Sequence, residues 1–149
     1  MGATDEPEPR NEEMSGYLIK RAQAAIHVRL EEIVSAHGLA IPQYVVLSFL
    51  AETPGLANAD LARRAFVTPQ SMNEVLKQLE STGLVERRQN PTNARILNAS
   101  LTRAGTRKLN AVSSQVRDLE ACLLRGLTSE ERQALKRSLL KIIDNVTLP

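Results

Sequence analysis

The stretch TPQSMNEVLKQLESTGLVERRQNPTNARILNASL, residues 68–101, changes its periodicity midway, and that change decides the fold. In its first half Met72, Val75, Leu76 and Leu79 recur at helical intervals of i, i+3, i+4, i+7. Thr68 is suited to cap such a helix, and Pro69 to open it, because the first helical position has no use for an N–H donor. The predicted helix runs from 69 to about 82 and ends at Gly83. Two strand-like runs follow, LVERR (84–88) and RILNASL (95–101). Between them QNPTNA (89–94) is rich in turn formers, so the second half reads as a β-hairpin with a polar tip.

Working outward toward the N-terminus, Asn58 is a candidate cap for a short helix, 59–66, that buries Leu61, Ala62 and Ala65. Pro54-Gly55 separates it from a helix over 42–52 with Val45, Val46, Phe49 and Leu50 inside. Short helix, tight turn, helix and hairpin make a winged helix-turn-helix head over about 40–102. A long helix over 14–36 precedes it, carrying Leu18, Ala22, Ala25, Ile26, Ile33 and Val34 and broadened by Tyr17, Val28 and Leu30. On the other side Thr102 caps a helix over 103–125 striped by Leu109, Val112, Val116, Leu119 and Leu123. After Gly126, the residues TSEE (128–131) form a capping box for a last helix, expected to bury Leu135, Leu139, Ile142 and Val146. The fold class is therefore mainly α with a small β-wing. Residues 14–149 read as one domain, and 1–13 (MGATDEPEPRNEE) as a disordered acidic tail.

Composition narrows the function. The chain is 42% hydrophobic but has no Trp, two Phe and two Tyr, so its core is aliphatic and suits helix packing. The net charge is only +2, yet residues 58–108 hold nine bases against four acids. A local basic field favours a polyanionic partner; the alternative is a solvated basic surface with none. One cysteine, Cys122, can make neither a disulfide framework nor a metal quartet within the chain, which fits a reducing cytoplasm. The acidic start does not read as a signal peptide, and no apolar run approaches the roughly 20 residues of a membrane span.

The second helix of a helix-turn-helix has the width to enter a DNA major groove. With its core face occupied, the opposite face here carries Gln70, Ser71, Asn73, Glu74, Lys77 and Gln78. Gln and Asn can pair with adenine edges, while Ser and Lys reach phosphates. The hairpin arms carry Arg87, Arg88 and Arg95, and a basic extended hairpin can reach the neighbouring minor groove. The candidate DNA-binding residues are thus Gln70, Ser71, Asn73, Glu74, Lys77, Arg87, Arg88 and Arg95.

The segment 38–105 resembles the MarR family of transcription regulators. The resemblance rests on Gly38-Leu39 with Pro42-Gln43-Tyr44 and Leu47, and on Asp60-Leu61-Ala62. It continues through Leu79-Glu80 with Gly83-Leu84-Val85, Asn90-Pro91 with Arg95, and Leu101-Thr102 with Gly105. Each piece is weak; the ordered set is specific, and the flanking helices extend it to about residues 14–147. The resemblance implies a cytoplasmic homodimer joined through the helices over 14–36 and 103–147. It implies two heads reading a palindromic double-stranded operator, and Arg95 as the minor-groove residue. It also implies a repressor relieved by a small aromatic or phenolic effector, for which Tyr17, Arg21, His27 and Tyr44 are the candidate contacts. One departure is visible: the family pattern has Asp two residues before the wing arginine, where this chain has Asn93.

Other residues tempt less. Cys122, between Leu119 and Leu123 on a helical stripe, is expected to be a small buried apolar residue. His27 and His37 have no ligands beside them at metal-binding spacing, and His37 before Gly38 suits a helix C-terminus. No cofactor is called for, no nucleophile motif or phosphate loop marks an enzyme, and a protein-interaction module remains the alternative to a DNA reader.

Overall fold

The computed structural model describes residues 10–147. The chain forms two compact units, divided between Ser114 and Gln115. The first contains α1 (Ser15–Ala36), α2 (Ile41–Glu52), β1 (Leu56–Ala57), α3 (Asn58–Arg64), α4 (Pro69–Ser81), β2 (Val85–Gln89), β3 (Leu97–Leu101) and the start of α5 (Arg103–Leu123). The second contains the end of α5 and α6 (Ser129–Thr147). Of the tail expected to be disordered, residues 1–9 lie outside the described range; Asn11–Glu13 form a 3₁₀ turn closed by Arg10 and Glu13 at 3.1 Å.

The core of the first unit draws on every element around the helix-turn-helix. Val46, Leu47 and Leu50 of α2 are buried with Leu61 and Ala62 of α3 and Met72, Leu76 and Leu79 of α4. Val34, Leu39, Leu56, Leu84, Val85, Ala99, Leu109 and Val112 complete it. Each fully buried Leu contributes about 1.5–3 kcal/mol, and together they fix α4 against α2 and α3. Thr68 caps α4 as expected, accepting a bond from the Ser71 amide at 3.1 Å. Asn58 does not cap α3 but begins it, and its Nδ2 donates to the Pro69 carbonyl at 2.9 Å. One amide thereby ties the two helices of the motif together.

The sheet has three antiparallel strands in the order β1-β3-β2. β1 is an addition to the sequence reading. Its two residues pair Leu56 with Ala99 and Ala57 with Asn98, extending the hairpin's inner edge. β3 starts at Leu97 rather than Arg95, because Asn93 and Asn90 fold residues 90–96 into a turn before pairing resumes. Thr102 joins wing to helix: its hydroxyl donates to the Gly83 carbonyl at 2.6 Å and accepts from the Gly105 amide at 3.0 Å.

In the second unit the capping box forms as read, with Thr128 N donating to Glu131 Oε2 at 2.7 Å and Glu131 N donating to Thr128 Oγ1 at 3.2 Å. The expected burial does not. α6 has no buried residue, and Leu135, Leu139, Ile142 and Val146 are all exposed. Amphipathic spacing marks a face that needs covering, but among the described residues of the chain nothing covers this one. Cys122 is likewise exposed, correcting the expectation of a buried site. No single described helix is long and apolar enough to cross a membrane.

Candidate nucleic-acid interface

With Met72, Leu76 and Leu79 buried, the geometry of an α-helix sends Gln70, Glu74 and Lys77 directly outward, and all three are exposed. Ser71 and Gln78 lie on the flank toward α2, where the Gln43 side chain donates to Gln78 Oε1 at 3.2 Å. Asn73 and Glu80 lie on the opposite flank, toward the wing, and both are half-buried. On the outer face Lys77 and Glu74 approach to 3.4 Å, but both are more than half exposed, so the pair opens at little cost.

The three wing arginines have three different situations. β2 places alternate residues on opposite faces, and Val85 is buried, so Arg87 follows it inward. Arg87 opposes Ala99, which in turn opposes Leu56, so this charged residue occupies the core-facing row of the sheet. Its side chain is only 11% exposed. One guanidinium nitrogen forms an ion pair with Glu80, the other donates to Asn73 Oδ1 at 3.0 Å, and Nε is buried with no partner. An exposed hairpin-arm arginine was the expectation; the alternation starting at Val85 was the signal against it. Arg88 faces the other way, exposed, with a solvent-screened contact to Glu86 at 3.1 Å.

Arg95 stands at the end of the turn, exposed, and its side chain has no hydrogen-bond or ion-pair partner among the described residues. Asn93 meets the backbone rather than the guanidinium: its Oδ1 accepts from the Arg95 amide at 3.1 Å. Asn90 Oδ1 accepts from the Thr92 amide, the Thr92 hydroxyl and the Asn93 amide at 2.8–3.1 Å. Two asparagines thus shape the tip, and the charge of Arg95 is left to project.

Several bases that made the middle segment positive are committed within the fold. Lys108 Nζ donates to the His37 carbonyl at 3.0 Å, closing the C-terminal end of α1; Arg63 meets Asp60 at 2.7 Å, but in an exposed pair that opens at little cost. Arg64, Arg95, Arg103 and Arg107 are exposed without such partners among the described residues.

The four effector candidates do not converge as a set. Arg21 lies over the Tyr17 ring, 5.9 Å from its centroid, one turn along the exposed start of α1. His27 sits on the same helix but about 120° around from Arg21 by helical spacing, and Tyr44 is half-buried on α2. The sequence reading missed a small apolar recess of about 200 Å³ lined by Ile41, Pro42, Val45, Val67, Met72 and Val75.

Comparison with known proteins agrees with the fold. A family model described as "MarR family" matches residues 37–96. The chain is 39% identical to the HTH-type transcriptional repressor Rv2887 of Mycobacterium tuberculosis, over 85% of this chain and 91% of that protein. A crystal structure of that protein in complex with DNA superposes with a TM-score of 0.69 at 36% identity, covering 87% of this chain and 97% of that one. Its complex with salicylic acid gives a TM-score of 0.68 at 36% identity, covering 94% and 99%.

Proposed function

The chain belongs to the MarR family, and on that premise we propose that it is a sequence-specific double-stranded-DNA-binding repressor whose affinity is lowered by a small aromatic acid. The observation that carries this reading is the pairing of an outward face of α4 with an unpartnered arginine at the wing tip. Gln70, Glu74 and Lys77 are exposed on a helix held rigidly by three buried residues, and Arg95 projects from a turn locked by Asn90 and Asn93. A helix enters the major groove while an arginine tip tracks the minor groove. Ser71 on the α2 flank and Arg88 on the outer face of β2 are positioned for backbone phosphates.

Such a reader works where the DNA is, in the cytoplasm, and as a homodimer, so that two heads meet a palindromic operator with half-sites about 34 Å apart. The uncovered apolar face of α6 supports the dimer, with α1, α5 and α6 as its joining helices. The cation stacked on an aromatic ring at Tyr17 and Arg21 is suited to the ring and carboxylate of an aromatic acid. Binding there would change the spacing of the heads and so the match to the half-sites.

The test is fluorescence anisotropy with a duplex selected by the protein from a randomised pool, titrated at several salt concentrations beside a scrambled duplex. Tight, selective, salt-sensitive binding is expected. Arg95→Ala weakens it about tenfold or more and reduces the salt slope by about one. Salicylate weakens binding of the wild type. If neither duplex binds even at low salt, the DNA-reader function is wrong and an interaction module takes its place.

A further inference from the structure

The inward arginine of the wing has a consequence for what α4 can read, given the DNA-binding function proposed above. We propose that Arg87 is a positioning residue that sets the sequence preference of Asn73. Its guanidinium holds the Asn73 carboxamide with Oδ1 turned toward the wing, leaving the Nδ2 amino group to donate to a base edge.

The argument begins with donor chemistry. A guanidinium only donates, so the Asn73 atom 3.0 Å from Arg87 must be the carbonyl oxygen; the amide cannot be flipped without setting donor against donor. Glu80, two helical turns along the same flank of α4, forms an ion pair with the other terminal nitrogen and stops the guanidinium from turning away. The side chain of Arg87 is 11% exposed and that of Glu80 33%, so this bond is shielded from water far more than the pairs on the outer face. The Nδ2 group of Asn73 has no protein acceptor among the described residues, and it is not among the buried atoms lacking one, so solvent reaches it.

Asn73 borders the outward face formed by Gln70 and Lys77, within reach of a groove that this face enters. A free asparagine can present either end of its amide, and so pairs with adenine through both an acceptor and a donor. Held by Arg87, Asn73 presents its donor end and favours base edges that accept there: guanine O6 or N7, thymine O4, adenine N7. The arginine itself does not reach DNA. Extending it would break the Glu80 pair, and a charge turned inward is committed by the strand alternation that placed it there.

The experiment uses the full-length protein and the selected duplex of the preceding test, with a set of duplexes substituted at each position. Arg87→Met removes the hold on Asn73 while keeping bulk in the core-facing row. Preference at one position per half-site is expected to shift about tenfold toward adenine, the base that a free asparagine pairs with through both ends, with the salt slope unchanged. Arg87→Lys keeps charge but loses the fork, and gives the same shift. Asn73→Ala loses discrimination at that position altogether, and the double variant Asn73→Ala/Arg87→Met behaves as Asn73→Ala alone.

A fall of about one in the salt slope of Arg87→Met would place the arginine on a phosphate and overturn the proposal. An unchanged preference, or a double variant that differs from Asn73→Ala alone, would overturn it too. Should the variants unfold, nuclear relaxation of the wild-type Asn73 side-chain amide decides: an order parameter above about 0.6 is expected without DNA, and one below it refutes the hold. If the wild type binds no duplex, the DNA-binding function fails and this proposal with it; if it binds and only these results fail, the function stands.

Discussion

Phe66, in the turn between α3 and α4, shows how one residue can work against the fold that contains it. Its φ is +55°, in the left-handed region where a bulky side chain crowds the backbone, and its side chain is 88% exposed. It therefore stores strain and buries almost nothing within the chain. Phe66→Gly should raise stability by about 1 kcal/mol, seen as a melting temperature about 3 °C higher. A lower melting temperature would mean that the ring has a packing role that the isolated chain does not display. Neither this strain nor the direction of Arg87 is read as easily as an apolar stripe. The conformation of Phe66 is imposed by the tight turn into Thr68, and no composition signal marks it. Arg87 was legible in principle, because Val85 fixes the alternation, but a charged residue at an inward position looks like surface until its partners on α4 are known. The asparagines of the wing were the reverse case. Turn chemistry announced Asn90 and Asn93, and both close the tip with side-chain bonds to backbone amides.

Elements announced by long periodicity stand where the sequence placed them, within a residue or two, and α4 with its Thr68 cap and Gly83 stop is the clearest. β1 was not legible: two residues show no alternation, and they become a strand only because β3 offers Ala99 and Asn98 as partners from more than 40 positions away. The junction between the wing and α5 was legible as a capping threonine but not as a close approach. A methyl group added at Gly105 would fall inside the van der Waals contact distance of the Leu84 backbone carbonyl, with the Leu101 side chain also near. Because the obstacle is main chain, neither side can yield without moving α5 or the strand. Gly105→Ala should accordingly destabilise the first unit by about 3 kcal/mol. Chemical denaturation of this variant beside Gly16→Ala, where an added methyl meets nothing, measures the difference. Equal stability of the two would show that the helix start can shift freely, and that the close approach at Gly105 does not fix the wing against α5.

For the whole molecule, the unresolved quantity in the sequence was which chain buries an apolar face. Periodicity shows that Leu135, Leu139, Ile142 and Val146 share a stripe, and the structure shows the stripe in water along the length of α6. Leu140 and Ile143 widen it, and Leu18, Ile19 and Val28 of α1 are also uncovered. An exposed apolar stripe of this kind along one helix is rare on a chain that stays alone in solution. If α6 joins two copies, a charge placed in the middle of the stripe must be desolvated at the interface, which costs several kcal/mol per subunit. Leu139→Glu and Ile142→Glu should therefore turn a dimer into a monomer in sedimentation equilibrium at micromolar concentration. The first unit, which carries its own core, should keep its helical signal and its melting transition. Separated heads lose the advantage of binding two half-sites at once, so affinity for the palindrome should fall on the order of 100-fold. Affinity for a single half-site should stay nearly constant, since no residue of α4 or the wing has changed. A variant that remains a dimer and binds the palindrome as tightly as the wild type would show that α6 is not the joining surface, and would shift that role to α1 and α5.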